Sequence, residues 1–530
     1  MTPLDWIIII AYLMGMIGLS VYLGRGQKDE EDYYVGGRSL PWWAVGISTM
    51  ATQTSAISFI SIPAFIALRE GGGLTWLQYE LAVPLAMILV MVLLIPTFRA
   101  LKLVSVYEYL ELRFGASVRT LVSGVFLVSR GLATGVGVYA SGIVLSVCLG
   151  TPLWVTILII GAVTILYDTI GGITAVVYSD VIQMVILLGG IVVCIAYAAA
   201  EVGGLGAMLG ALPAERLQTL DLSTGLGDGG DVPFWAFLFG GFFLYASYYG
   251  TDQSQVQREL SAKSIREAKL ALLLNGLARF PLTLLYAALG IAAYAAYAAS
   301  PELQASVPAD RPDFLIPQFI LLNLPTGLRA LLFAALLSAA MSSLDSALNS
   351  LSAATMRDFL DSRLPSETSR FQWSKLTTVA WGVLITGFAF VVGEISDTVI
   401  EGINKIGSAF FGPVLAAFLV GVLSRRVEAR GLLVGILVGV GFNLVQWIAF
   451  PEIYWMWWNA VGCGVAAGVA ALVSRLSAQA ETAPPDPTPY TVWAEGSLLE
   501  RERAWRPVYA LLIGYFILML GVLVAIPRLA

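Results

Sequence analysis

Two stretches of this sequence hold side-chain oxygen where the neighbouring residues are apolar. The first, VGISTMATQTSAISFISIP from Val45 to Pro63, carries seven Ser or Thr residues and one Gln. The second, SAAMSSLDSALNSLS from Ser338 to Ser352, spaces Ser338, Ser342, Asp345, Ser346 and Asn349 by three and four, which puts much of that set on one helical face. Hydroxyls, carbonyls and a carboxylate can replace the hydration shell of a hard cation such as sodium; soft transition metals favour other ligands. Both stretches also fit plain packing, since Ser and Thr bond back to the preceding turn and small residues let helices approach closely.

Charged residues inside apolar runs sharpen the choice. An unpaired carboxylate in hydrocarbon needs a cation, a proton or water around it. Asp180 and Asp345 are such acids, although Asp180 also fits the N-cap of a following helix. Glu80 lies within another apolar run, and Asp168 reads as a turn or cap residue before Gly171 and Gly172. Arg130 sits deep in FLVSRGLATGVGVY, where its planar fork suits a solute carboxylate or an internal acid such as Glu80. Arg279, two residues before Pro281, reads as structural. In FFLYASYYGTDQSQVQREL an aromatic run gives way to Gly, Thr, Asp and Gln. A helix interrupted beside a pocket fits this, with Tyr245, Tyr248 and Asp252 as gate or solute contacts; an aromatic belt at a helix end fits too.

Other chemistries drop out on composition. The chain has no His, which removes His-based triads, metal sites and proton relays. Cys148, Cys194 and Cys463 are far apart and sit in or beside apolar runs, as small fillers do. The 30 basic and 36 acidic residues are dispersed, so no groove for nucleic acid is expected. No convincing nucleophile and base pair points to an enzyme.

The elements that must position these residues are membrane helices. The chain is 530 residues, 58% hydrophobic and only 12% charged, with a mean hydropathy of +0.80. Runs of about 20 apolar residues suffice to cross a bilayer. They fall at 4–24, 40–68, 75–98, 117–149, 152–170, 176–200, 232–251, 267–299, 327–360, 374–394, 402–424, 431–450, 457–474 and 507–526, which predicts an all-α integral membrane protein with about 14 transmembrane helices. The first run lacks a basic leader and a cleavage pattern, and reads as a span rather than a signal.

Placing these spans alternately gathers most Lys and Arg, among them Arg258 and Lys269, on one side. That asymmetry sets both termini outside the cell membrane, in the periplasm if the cell is bacterial. The polar loops 201–231 and 301–325 then face outward, as pocket entrances or plain connectors. The Pro- and Glu-rich stretch 477–506 becomes an inner connector, and Tyr107 to Phe114 a short amphipathic stretch along the inner surface.

The motifs EDYYVGGRSLPWW, GGITAVVYSDVIQ, GTDQSQVQR and SAAMSSLDSALNS, in this order and spacing, resemble the sodium/solute symporter family. That group includes bacterial sialic-acid, proline and galactose symporters and animal monocarboxylate and multivitamin symporters. The resemblance runs from Asp5 to about Val473 and implies a five-plus-five inverted-repeat transporter core with broken helices. It divides the chain into an N-terminal extra helix and inner loop (1–39), a first repeat (40–200), an outer loop (201–231), a second repeat (232–424), C-terminal scaffold helices (425–475), and an inner connector with a last helix (476–530).

The same resemblance implies a main sodium site at Ala51, Thr54, Ala339, Ser342 and Ser343. A possible second site matches Asp180, Ser342, Asp345 and Ser346, where Asp345 departs from the Ser or Ala that relatives often carry. It implies solute contacts at Ser55, Ser58 and Phe59, with Asp252 at a pocket-facing position and Arg130 resembling an arginine that sialic-acid symporters use for a carboxylate. Glu80, Tyr245 and Tyr248 complete the expected solute-binding set. The expected function is sodium-coupled uptake of a small organic solute carrying a carboxylate, by alternating access, with Na+ as the coupling ion and the lipid bilayer as the surround. No obligate protein partner is expected. The rivals are proton-coupled symport of a neutral solute such as a sugar or polyol, through Asp180 or Asp345, and a non-transporting membrane sensor.

Overall fold

The computed structural model describes residues 1–222, 233–391, 399–477, 490–492 and 498–529. These residues are helical throughout, apart from turns, connecting loops and one isolated bridge between Leu40 and Ala262. Among the described residues ten helices are long and apolar enough to cross a membrane, or eleven when one bent pair is taken as a single span. This is fewer than the fourteen that the apolar runs predict, and the difference falls on three stretches. The runs 152–170 and 176–200 join in one 49-residue element, Leu153–Glu201. The run 232–251 is a π-helical turn, Ala236–Gly240, followed by an 11-residue helix. The run 374–394 falls on Glu367–Ala389, which is not among the ten.

We label the helices that frame the centre as α1 (Pro3–Gly24), α2 (Trp42–Gln53), α3 (Ala56–Ala67), α4 (Ala116–Leu149), α5 (Leu153–Glu201), α6 (Gly241–Thr251), α7 (Gln253–Ser261), α8 (Ile265–Ala299) and α9 (Leu328–Thr355). Helix α5 is not uniform. Gly172 takes φ 54° and ψ −160° in its middle. A Cβ at that position would lie 2.6 Å from the Tyr33 carbonyl oxygen, so both the backbone angle and the close approach demand glycine. Asp168 and Asp180 flank this kink from inside helical backbone; neither is a turn residue or an N-cap.

Two further breaks face the interior. Helices α2 and α3 meet at a 58° bend. Thr54, at φ −95° and ψ 81°, ends α2, and Ser55 accepts from the Ser58 N–H at 3.4 Å to start α3. The Ser- and Thr-rich sequence makes this possible, because hydroxyls satisfy the backbone groups that a break leaves open. Helices α6 and α7 meet at Asp252, whose extended backbone leaves α6 and whose carboxylate caps α7 by accepting from the Ser254 N–H at 2.8 Å.

The outer surface inverts the pattern of a water-soluble protein. On α1, Ile7 is 62% exposed and Met14 61%, the signature of a face that meets lipid. The helix Ala429–Ala449 packs on Trp457–Ser477 through Gly431, Gly435 and Gly439; a Cβ on Gly435 would lie 2.4 Å from the Ala466 carbonyl. Small residues at this spacing let two backbones touch where burial of apolar surface gives no driving force.

Arg258 departs from the start of the inner loop expected for it, whereas Lys269 falls within the expected run 267–299. Arg258 is 1% exposed inside α7. Lys269, in α8, donates to Glu502 at 2.6 Å, next to the last helix, Arg506–Leu529. Residues 223–231 of the expected outer loop and 478–489 and 493–497 of the expected inner connector lie outside the described residues.

Candidate functional site

The helix breaks border a cavity of about 230 Å³, lined in part by Ser55 at the α2–α3 break, Ser58 from α3, Arg130 from α4, Tyr248 from α6, Arg279 from α8 and Ser343 from α9. Glu80 and Asp252 also line it. Trp76, Tyr79 and Phe411 add aromatic wall. Six of the expected solute contacts thus share one space. Phe59 and Tyr245 do not line it; both are fully buried. The Tyr245 ring packs edge-on against Tyr79 at 5.8 Å and so backs the wall.

Arg130 enters from α4 with its Nη1 3.6 Å from Asp252 Oδ2. That is an ion pair without a hydrogen bond. The guanidinium also lies 5.8 Å from the centroid of the Tyr248 ring, within cation–π reach. Its Nε has no hydrogen-bond partner among the described residues. Arg130 also bonds Tyr248, and its half-buried guanidinium at the cavity wall is a cation that an oxyanion can approach.

The second arginine of the cavity is closed on itself. Arg279 meets Glu80 through two hydrogen bonds, Nη2 to Oε1 at 2.7 Å and Nε to Oε2 at 3.3 Å. Thr283 donates to the same carboxylate at 3.2 Å, and Arg279 Nη1 donates to Thr54 Oγ1 at 3.3 Å. Glu80 is therefore the partner of Arg279, not of Arg130. This network ties α8 to the end of α2 and holds the break in place.

The oxygens expected to hold sodium sit on two packed elements. Ala51 and Thr54 form the last turn of α2, where the Thr54 N–H donates to the Ala51 carbonyl at 2.9 Å. Ala339, Ser342 and Ser343 lie on α9, where Ser343 Oγ donates to the Ala339 carbonyl at 3.3 Å. Thr52 and Ser346 hydroxyls meet at 3.3 Å and bring the two helices together. The set contains oxygen only, which is the donor chemistry of a hard monovalent ion.

Asp180, Asp345, Ser342 and Ser346 also converge. Asp180 accepts from the hydroxyls of Ser48 and Ser342, and Arg258 Nη2 donates to it at 3.1 Å. Arg258 further donates to Ser48 Oγ at 2.7 Å and to Ser346 Oγ. Asp345 accepts from the Tyr167 hydroxyl and lies 3.2 Å from Ser346 Oγ. A fixed guanidinium thus stands among these oxygens. Tyr33, Asp168, Asn349 and Gln257 extend the polar layer, with Asn349 donating to Asp168 at 3.4 Å and Gln257 to Asn349 at 2.7 Å.

The chain that builds this site has known relatives. The Sodium:solute symporter family model matches residues 33–439. The chain belongs to the sodium:solute symporter family. It is 33% identical to the human sodium/iodide cotransporter over 445 residues, covering 82% of this chain and 67% of that protein. It is 30% identical to the sodium-coupled monocarboxylate transporter 2 of Bos taurus over 453 residues, covering 84% and 72%. The structure of a Na+-coupled sialic acid symporter in its substrate-bound outward-open state superposes with a TM-score of 0.81 at 27% identity, covering 91% of this chain and 99% of that one.

As a member of this family the protein is a multi-pass membrane transporter and not an enzyme, and it couples solute movement to Na+. Its helical architecture is related to the five-plus-five inverted-repeat symporters. The partners that sequence reasoning missed are Arg258 and Tyr167. Arg258 had a signal: it closes a short polar run, Gln253 to Arg258, that follows the α6–α7 break within one helix. Tyr167 had none, since a lone Tyr in an apolar run reads as filler.

Proposed function

We propose that this symporter takes up a small organic solute bearing a carboxylate, with sodium held where α2 breaks against α9. The single observation that supports the solute class is Arg130, a cavity-lining guanidinium whose Nε is unpartnered and whose nearest acid stands 3.6 Å away. The named solutes of two relatives, a sialic acid and monocarboxylates, are organic acids and point the same way.

Sodium binds the carbonyls of Ala51, Thr54 and Ala339 and the hydroxyls of Ser342 and Ser343, and so joins a broken helix to a continuous one. The solute sits beside Ser55 and Ser58, its carboxylate on Arg130, with Tyr248 and Asp252 flanking it. Each ligand favours the same closed arrangement of α2, α3, α6 and α7 against α4 and α9, so each raises the affinity for the other. Asp180, Ser342, Asp345 and Ser346 form a second cation place, in which Arg258 already supplies one positive charge. The fourteen apolar runs each cross the bilayer, the first repeat spans 40–200 and the second 232–424, and both termini face outward.

Uptake into proteoliposomes, with sodium and proton gradients imposed separately, tests the coupling. Accumulation of an acid such as sialate, pyruvate or an amino acid under a sodium gradient alone is the expected result. Accumulation that follows only the proton gradient would transfer the coupling to Asp180 or Asp345.

A further inference from the structure

Arg130 and Asp252 face each other from different helices with their pairing incomplete. The 3.6 Å separation is too long for a hydrogen bond, and Arg130 Nε has no partner among the described residues. Asp252 Oδ1 is occupied, because Ser254 donates both its N–H, at 2.8 Å, and its hydroxyl to it. Oδ2 faces the guanidinium and is the oxygen left for a ligand. The other charged pair of the cavity, Glu80 with Arg279, is bidentate and carries Thr283 and Thr54 as well. It offers no comparable open valence.

A carboxylate seated on Arg130 brings its negative charge beside Asp252. An unsubstituted anion leaves that repulsion unrelieved. A hydroxyl or ammonium on the carbon next to the carboxyl relieves it, because its hydrogen reaches Asp252 Oδ2 while the carboxylate stays on Arg130. Resting on the carboxylate reading of Arg130, we infer that Asp252 is a specificity-determining residue that selects 2-hydroxy- or 2-amino-carboxylates over unsubstituted anions of the same skeleton. Sites built to bond a donor reject analogues that lack it by large factors, because their own polar atom is then left unpaired.

The experiment uses the full chain in proteoliposomes under an inward sodium gradient, with sodium-dependent uptake of each isotope-labelled probe as the readout. Two series of probes cover small and aromatic solutes: propanoate, 2-hydroxypropanoate and 2-aminopropanoate; then 3-phenylpropanoate with its 2-hydroxy and 2-amino forms. The neutral amides of the hydroxy acids complete the set. Asp252→Asn removes the charge and retains a good N-cap for α7, and its thermal unfolding checks the fold. The 2-substituted acids should reach half-saturation at concentrations at least about tenfold below the unsubstituted acid, and Asp252→Asn should shrink that gap to about twofold. Equal treatment of substituted and unsubstituted acids, or an unchanged ratio in folded Asp252→Asn, overturns the inference and leaves the carboxylate reading standing. Amides that equal the acids, or silence from both series, overturn the carboxylate reading and this inference together.

Discussion

The Arg258 guanidinium stands 3.1 Å from the Asp180 carboxylate, and both side chains are buried to within 1% of completely. Arg258 rises from α7, the second member of the α6–α7 break, Asp180 from beyond the kink of α5, and Ser48 and Ser342 donate to the same carboxylate. One ion pair thus joins four helices. Removing either charge leaves the other buried without compensation, which typically costs about 3–5 kcal/mol. Asp180→Asn and Arg258→Gln should each lower the unfolding temperature in detergent. The double variant should lose clearly less than the sum, because neither charge is then stranded. Strict additivity would show that the two residues do not act as a pair.

At the proposed main sodium site the readout is sodium dependence. Ser343→Ala removes one side-chain oxygen that faces the cavity. A lost ligand of this kind is worth roughly 1.4 kcal/mol, so the sodium concentration for half-maximal uptake should rise about tenfold. Solute affinity at saturating sodium should change little. A sodium curve superposable on that of the parent would remove Ser343 from the ligand set.

Arg130→Lys keeps the charge and loses the planar fork. For a carboxylate solute KM should rise roughly tenfold or more, while a neutral analogue of the same skeleton should be spared. Equal loss for both solutes would assign Arg130 to holding α4 against Asp252 instead.

The kink in α5 makes a structural prediction. Gly172→Ala forces a Cβ onto a left-handed φ of 54° and against the Tyr33 carbonyl. The backbone angle alone costs about 1–3 kcal/mol, and the contact adds to it. Reduced unfolding temperature, with Gly189→Ala as a control in open space on the same helix, checks it. A Gly172 variant as stable as the control would mean that the kink relaxes freely.

Lys269 and Glu502 tie the last helix to α8, with the Trp505 ring 5.1 Å from the ammonium. Glu502→Ala leaves that buried ammonium without a carboxylate, with the Tyr509 hydroxyl at 3.3 Å and the Trp505 ring as its contacts. Trypsin should then cut between residues 477 and 506 faster than in the parent, and Glu502→Asp should restore protection in part. Equal cutting rates would show that the last helix is held by its apolar face alone.

What could be read from the linear chain follows from what local chemistry controls. Apolar runs declare membrane helices because lipid offers no partner for backbone N–H and C=O groups. The α2–α3 break was legible because seven hydroxyl residues in one span have no use against lipid, and the α6–α7 break because Asp252 follows an aromatic run. Only tertiary structure decided the partners. Glu80 went to Arg279 and Asp252 to Arg130, since charges in a low-dielectric interior pair with whatever fixed charge folding brings within a few ångströms, and that distance is unrelated to separation along the chain. It also placed Arg258 inside rather than on a loop, because a basic residue near a span end reads the same whether its guanidinium reaches water or a buried carboxylate.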